Sequence, residues 1–309
     1  MVKIYMTDDR VVYELEERRE GAWIMLTNPT VEELQEVARD EIDIADLRAA
    51  LDDEESSRIE LEDGYTLILV DIPTTEIRNE LKTYTTIPLG IILTQENIIT
   101  VCTEETPILT QFVNKRVRDF STKKKMRFIY QILFRTAASY QSTLRIIDKQ
   151  RTEIEEEIGD MTEDKDLFQL HELESTLVYF ATSLRANAVV LERLTRYKRL
   201  EQFPEDMELL EDVIVENQQA VEMTTIYKDI LIGTRELLSA VLNNRLNNVM
   251  KYLTTITLVM AVPTVVSGLF GMNVPVPLAN NAFGFASIAI CTFIVCIIVL
   301  ILLKRKRML

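Results

Sequence analysis

Between Lys251 and Lys304 the chain carries no Asp, Glu, Lys or Arg. Two apolar runs fill this interval, Leu253 to Phe270 and Phe285 to Leu303. Each approaches the ~20 residues that cross ~30 Å of hydrocarbon. A buried helical hairpin of a large soluble protein is the competing explanation, but such hairpins seldom stay uncharged for so long. The pattern predicts two membrane spans, joined by a short uncharged loop that opens with Gly271, Met272 and Asn273. Two spans leave most of the 309 residues unaccounted for, so the bulk of the chain is expected outside the bilayer.

Charge is divided unevenly. Five of the 34 basic residues (Lys251, Lys304, Arg305, Lys306 and Arg307) and none of the 49 acidic ones follow residue 247, so residues 1–247 hold 29 bases against 49 acids. Phosphate binding needs a basic footprint, which argues against nucleic acid as a partner. An acidic domain suits attraction of cations, although solvated helix faces explain it equally well. Three cysteines (Cys102, Cys291, Cys296) and a single histidine, His171, form no metal or redox motif. His171, between Leu170 and Leu173, reads as a surface or boundary residue without a role. The first residues contain no signal-peptide core, so the N-terminal region is expected to stay in the cytosol. Lys304 to Arg307 place the C-terminal tail there as well, by the positive-inside tendency. The loop opened by Gly271 is then outside, and the protein is expected in the cell membrane with both termini cytoplasmic.

The fold class expected is an α+β membrane protein. Residues 1–122 read as a cytosolic α/β domain, with β-rich runs at Val2–Met6, Val11–Leu15, Ala22–Thr27, Tyr65–Ile72, Thr83–Leu93 and Ile98–Val101. Their continuous apolar character points to a sheet covered on both faces. Thr30 followed by Glu33 is a capping-box start for a helix, and Ile44–Leu51 suits a second one. Residues 123–204 carry a 3.6-residue apolar period broken at Gly159-Asp160, which predicts an antiparallel helix pair. Its tip is acidic (Glu153, Glu155, Glu156, Glu157, Asp160, Glu163, Asp164 and Asp166), either a solvated tip or a cation-collecting surface. Pro204 opens a further helix that meets no other proline before Pro263. Residues 205–249 form a stalk that runs into a first span at 250–270, together ~95 Å long at ~1.5 Å per residue. The outer loop occupies 271–283, the second span 284–303 and the basic tail 304–309. Helices this long usually bundle with copies of themselves.

Alternating steps of three and four back from the loop read Gly271, Gly268, Thr264, Ala261, Thr257, Thr254, Met250 and Asn247. Within the span these are small or hydroxyl-bearing, whereas the residues between them are mostly large and apolar. Such a stripe suits a helix that lines a water-filled path. Tight helix packing explains it equally well. Asn243, Asn244, Asn247 and Asn248 at the cytosolic entrance tilt the balance toward a pore, because amides line a wet path without trapping a cation. Pro263 removes one backbone hydrogen bond in mid-span, with either a kink or a neighbouring hydroxyl such as Thr264 expected to compensate. Hydroxyls, amides and carbonyls suit the outer waters of a hydrated ion such as Mg²⁺, which loses its waters reluctantly.

Gly271-Met272-Asn273 at the end of the first of two C-terminal spans, with this order of parts over the whole chain, resembles the CorA family of magnesium transporters. The resemblance implies a homopentamer in the lipid bilayer, with Gly271, Met272 and Asn273 as selectivity filter and Asn273 binding hydrated Mg²⁺. It places Asn247, Met250, Thr254, Thr257, Ala261, Thr264 and Gly268 along the pore and a hydrophobic gate at Met250 and Leu253. It also implies regulatory Mg²⁺ held by Asp212 on the stalk. The expected acidic partners fall on Arg48 and Ala49, with Asp46 and Asp52 nearby as substitutes. The outer loop departs too, since Val274 to Asn281 is uncharged where acidic residues are common. The implied activity is Mg²⁺ influx driven by membrane potential, with Co²⁺ and Ni²⁺ as secondary ions and no organic cofactor. Two alternatives stand beside it. One is a zinc transporter of the related branch, against which Met272 speaks. The other is a membrane-anchored coiled-coil scaffold. No residue pair offers a nucleophile with a base, so an enzyme is not expected.

Overall fold

The computed structural model describes residues 1–8, 11–39, 41–78, 81–156, 164–196, 204–272 and 283–305. The β-branched runs of the first hundred residues pair into one mixed sheet of seven strands. These are β1 (Val2–Asp8), β2 (Val11–Leu15), β3 (Trp23–Thr27), β4 (Arg58–Leu61), β5 (Tyr65–Arg78), β6 (Leu81–Thr94) and β7 (Ile98–Cys102), in the order β2-β1-β3-β7-β6-β5-β4. Neighbours are antiparallel except β3 and β7, which run parallel with Trp23 opposite Ile98 and Thr27 opposite Cys102.

The sheet is covered on both faces, as its unbroken apolar strands require. Alternation along β3 sends Ile24 and Leu26 to one side, where they meet Leu34 and Val37 of α1 (Val31–Ala38) and Leu47 of α2 (Ile44–Ala49). Trp23 and Met25 enter the opposite core with Phe112 of α3 (Pro107–Val113) and Phe128 of α4 (Lys125–Glu156). Trp23 stacks edge-on against Phe128 at 5.0 Å and Phe112 at 6.3 Å. Its indole N–H donates to the Thr100 hydroxyl at 2.9 Å, so the polar end of the ring is satisfied inside the core. Helix α1 begins with the expected capping box: Thr30 Oγ1 accepts from Glu33 N at 3.3 Å, and Glu33 Oε2 accepts from Thr30 N at 2.9 Å. Gly90 of β6 lies where α2 ends on the sheet, and a Cβ there would fall 2.5 Å from the Ala50 Cβ.

Sequence patterning misses β4, α3 and the outer part of β5, residues 73–78, while Thr83–Leu93 covers all but the ends of β6. Strand β4 is only four residues at the sheet edge, half of them charged. The outer part of β5 is mostly polar (Thr74, Thr75, Glu76 and Arg78) and weakens the apolar signal, yet the pairing runs unbroken from Tyr65↔Thr94 to Arg78↔Leu81.

Helix α5 (Asp164–Arg196) pairs with α4, as the broken 3.6-residue period predicts, and fastens the sheet from outside. Strand β4 ends opposite Leu69, and two residues further along β5 the amide of Asn187 takes the place of a neighbouring strand. Asn187 Oδ1 accepts from Asp71 N at 2.9 Å, while Nδ2 donates to Asp71 O at 2.8 Å. Helix α6 runs without interruption from Pro204 to Phe270, and α7 covers Gly284–Arg305. The chain forms two compact units, one from Met1–Glu157 and Glu163–Arg235 and the other chiefly from Glu236–Leu309.

Candidate functional site

Within the second unit, two helices long and apolar enough to cross a membrane meet along one stripe each. On α6 the covered residues are Thr255, Val259, Val262, Pro263 and Val266, and on α7 they are Ile288, Thr292, Cys296, Val299 and Leu303. Both sets advance by three or four residues, the spacing of one helix face. A cavity of about 430 Å³ between the helices is lined by Pro263, Val266, Ser267 and Phe270 on one side and Ile288, Thr292 and Cys296 on the other.

The small and hydroxyl-bearing stripe lies elsewhere. Asn247, Met250, Thr254, Thr257, Ala261, Thr264, Gly268 and Gly271 are all exposed in the single chain, as is Leu253 at the edge of the stripe. At ~100° per residue the stripe is centred about 150° from the face covered by α7. Small residues on α6 therefore do not mark its packing against α7. That partner takes a β-branched face instead.

The hydroxyls on the stripe share one geometry. Thr254 donates to Met250 O at 2.8 Å, Thr257 to Leu253 O at 2.8 Å and Thr264 to Met260 O at 2.9 Å. Each proton is committed to the helix's own backbone, so each oxygen presents only lone pairs outward. Such a row accepts hydrogen bonds and donates none, which is the complement of water bound to a cation. At the C-terminal end of α6, Gly271 N donates to Ser267 O at 2.9 Å and Met272 is exposed. Asn273 lies outside the described residues, as does the loop that follows it to residue 282.

Pro263 sits inside α6 and withholds the amide that would reach Val259 O. Thr264 does not cover that carbonyl, being bonded to Met260 O. The donor comes from α7, whose Cys296 Sγ lies 3.8 Å from Val259 O. Neither hydropathy nor spacing singles out this cysteine, because its partner is 37 positions away.

The residues expected to bind a regulatory ion are dispersed or engaged. Asp212 and Arg48 are exposed and Ala49 is buried. Asp46 Oδ2 accepts from the Tyr65 hydroxyl at 2.6 Å, and Tyr65 accepts in turn from Asp43 N at 3.2 Å. Burial, together with Asp46, pushes the Tyr65 phenol up to about 12, so it remains a donor throughout the physiological range. Asp52 Oδ1 accepts from Glu54 N at 3.0 Å. Among the described residues of one chain, no three His, Cys, Asp or Glu side chains are grouped to hold a metal ion. At the acidic tip, Arg151 bridges Asp148 and Glu155, and Lys149 lies 3.5 Å from Glu153. Such pairs suit a solvated helix end. Glu157, Asp160 and Glu163 lie outside the described residues. His171 is exposed.

Comparison with known proteins matches residues 19–305 to the family described as CorA-like Mg²⁺ transporter protein. The chain is 28% identical over 295 residues to the cobalt/magnesium transport protein CorA of Methanocaldococcus jannaschii, covering 92% of this chain and 90% of that one. The complete structure of the CorA magnesium transporter from the same organism superposes with a TM-score of 0.82 at 26% identity, over 99% of this chain and 98% of that one. The cytoplasmic domain of ZntB from Vibrio parahaemolyticus shares the fold alone, with a TM-score of 0.58 at 11% identity over 79% of this chain and 97% of that one.

Proposed function

This chain belongs to the family of CorA-like Mg²⁺ transporter proteins, and from that membership we propose that it conducts hydrated Mg²⁺ into the cell through a pore lined by α6. The observation that carries this reading is the acceptor-only stripe of Thr254, Thr257 and Thr264, which α7 leaves uncovered. Several copies of α6 brought together on that stripe would enclose a path of oxygen lone pairs with no fixed charge. Coordinated waters of a divalent cation point their hydrogens outward and match those lone pairs, so the ion passes without losing its inner shell. Large apolar residues on the remaining faces, such as Ile256 and Leu269, are left for lipid or neighbouring helices.

In this reading the assembly is a homopentamer, as the family resemblance implies, with a ring of Asn273 at the outer mouth holding the hydrated ion through amide oxygens. Gly271 and Met272 set the turn that presents it. Met250 and Leu253 form the apolar constriction at the cytosolic end of the path, and Asn247 the polar ring below it. Transport is passive. An inside-negative potential contributes about 2.3 kcal/mol per charge per 100 mV, and a divalent ion gains about twice that. Co²⁺ and Ni²⁺, similar in size and hydration, are secondary substrates. Asp212 is retained as a candidate ligand for regulatory Mg²⁺. Because Asp46 is committed to Tyr65 and Arg48 is cationic, any such site draws weaker support from the α/β domain.

Mg²⁺ uptake into sealed proteoliposomes under an imposed inside-negative potential tests the proposal, wild type beside Asn273→Ala. Uptake that requires the potential and is lost in the variant is the expected result. Equal uptake by both would remove Asn273 from its role. Uptake by neither, from folded oligomeric protein, would favour a membrane-anchored scaffold.

A further inference from the structure

We infer that Cys296 is a positioning residue of the pore helix: its thiol replaces the backbone amide that Pro263 lacks and thereby sets which face of α6 is turned to α7. A proline inside a helix leaves the carbonyl one turn earlier without its usual donor, and in hydrocarbon no water can take that place. Here the orphaned group is Val259 O, and Cys296 Sγ stands 3.8 Å from it. A thiol is a weak donor with a long reach, which suits a contact between two helix backbones better than a short hydroxyl does.

The contrast with neighbouring donors strengthens the assignment. Thr254, Thr257 and Thr264 on α6 and Thr292 on α7 each donate back to a carbonyl of their own helix at 2.8–2.9 Å. Cys296, one turn after Thr292 on the same face, reaches across to the other helix instead. Val259 and Pro263 both belong to the covered stripe of α6, so the polar defect faces α7. It faces neither lipid nor the threonine stripe. Rotating α6 by one residue would swing Val259 by ~100° and break the contact. The thiol thus specifies the rotation that keeps the threonines turned away from α7. Its effect on transport rests on the pore reading above, whereas the contact itself does not.

Two measurements on the full-length protein separate these parts. The first is the infrared S–H stretching band of Cys296 in detergent micelles, identified by its loss in Cys296→Ala. Substituting Pro263→Ala restores an amide that competes for Val259 O, so the Cys296 band is expected to move to higher frequency. A band that does not move overturns the inference. The second is Mg²⁺ uptake in proteoliposomes. Cys296→Ala is expected to lower the rate about two- to fivefold, the scale of one weak hydrogen bond, and Cys296→Ser, whose shorter hydroxyl folds back on its own helix, is expected to lower it to the same extent. In a Pro263→Ala background, Cys296→Ala is expected to change nothing. Independent, additive losses from the two substitutions would overturn the positioning role. No uptake by wild type, with the band behaving as expected, would remove the proposed function and leave the contact standing.

Discussion

The sheet domain and the α6–α7 unit are built from the same apolar residue types and use them in opposite ways. In the sheet, Leu67, Ile68, Leu69 and Val70 are 0% exposed, sandwiched between helices on both sides. On α6 and α7, Ile256, Leu269 and Phe293 are 57–68% exposed. Apolar surface of that extent is unfavourable in water and neutral in hydrocarbon, so the difference reports the solvent each unit is made for. Polar groups follow the same division. The sheet domain spends side-chain hydrogen bonds on joining distant elements, as with Thr176 to Tyr84 O at 2.9 Å and Asn187 to both backbone groups of Asp71. In the membrane unit Thr254, Thr257, Thr264 and Thr292 fold back onto their own helices, and the buried Thr255 hydroxyl is left without a partner. Cys296 is the described side chain that links its two helices.

The largest effect is expected from Leu67→Ala, which removes a fully buried side chain and should cost about 2–5 kcal/mol of stability. Leu269→Ala, the same truncation on an exposed membrane face, should cost less than about 1 kcal/mol. Denaturant unfolding of both variants in detergent measures the pair. Similar losses would mean that Leu269 is packed in the assembly, not bathed in lipid.

A smaller effect is expected on transport. Thr257→Leu puts a bulky apolar group on the stripe and should lower Mg²⁺ uptake about tenfold, the equivalent of ~1.4 kcal/mol. Leu258→Thr, one residue away on a different face, should leave it within about twofold on the same scale. Comparable losses at both positions would remove the distinction between faces.

The smallest concerns pH. Burial holds the Asp71 carboxyl above its ordinary 3.8. The folded state then binds this proton more tightly than the unfolded chain does. Its contribution is fully present below about 3.8 and is lost as pH rises through the raised value. Asp71→Asn removes that loss. The melting temperature of the variant relative to wild type should therefore climb as pH rises from about 4 toward neutrality. Parallel curves would show that Asp71 does not titrate in the folded domain over this range.

Much of this protein is determined by local sequence. Two uncharged apolar runs declare the spans, the pairing of Thr30 with Glu33 declares the start of α1, and unbroken apolar strands declare a sheet with two covered faces. Each of these signals lies within a few residues or one period of a single element. The threonine stripe was legible as well, but its meaning was not, because spacing alone does not tell a pore face from a packing face. Tertiary structure shows that the stripe is not the face packed on α7, which covers Thr255, Val259 and Val266 instead. It also decides what no local pattern encodes: that Asn187 stands in for a missing strand, that Asp46 is occupied by Tyr65, and that Cys296 answers the proline of another helix. In each case a buried or membrane-embedded polar group must find a partner, and the partner within reach is chosen by the fold, tens of residues away along the chain.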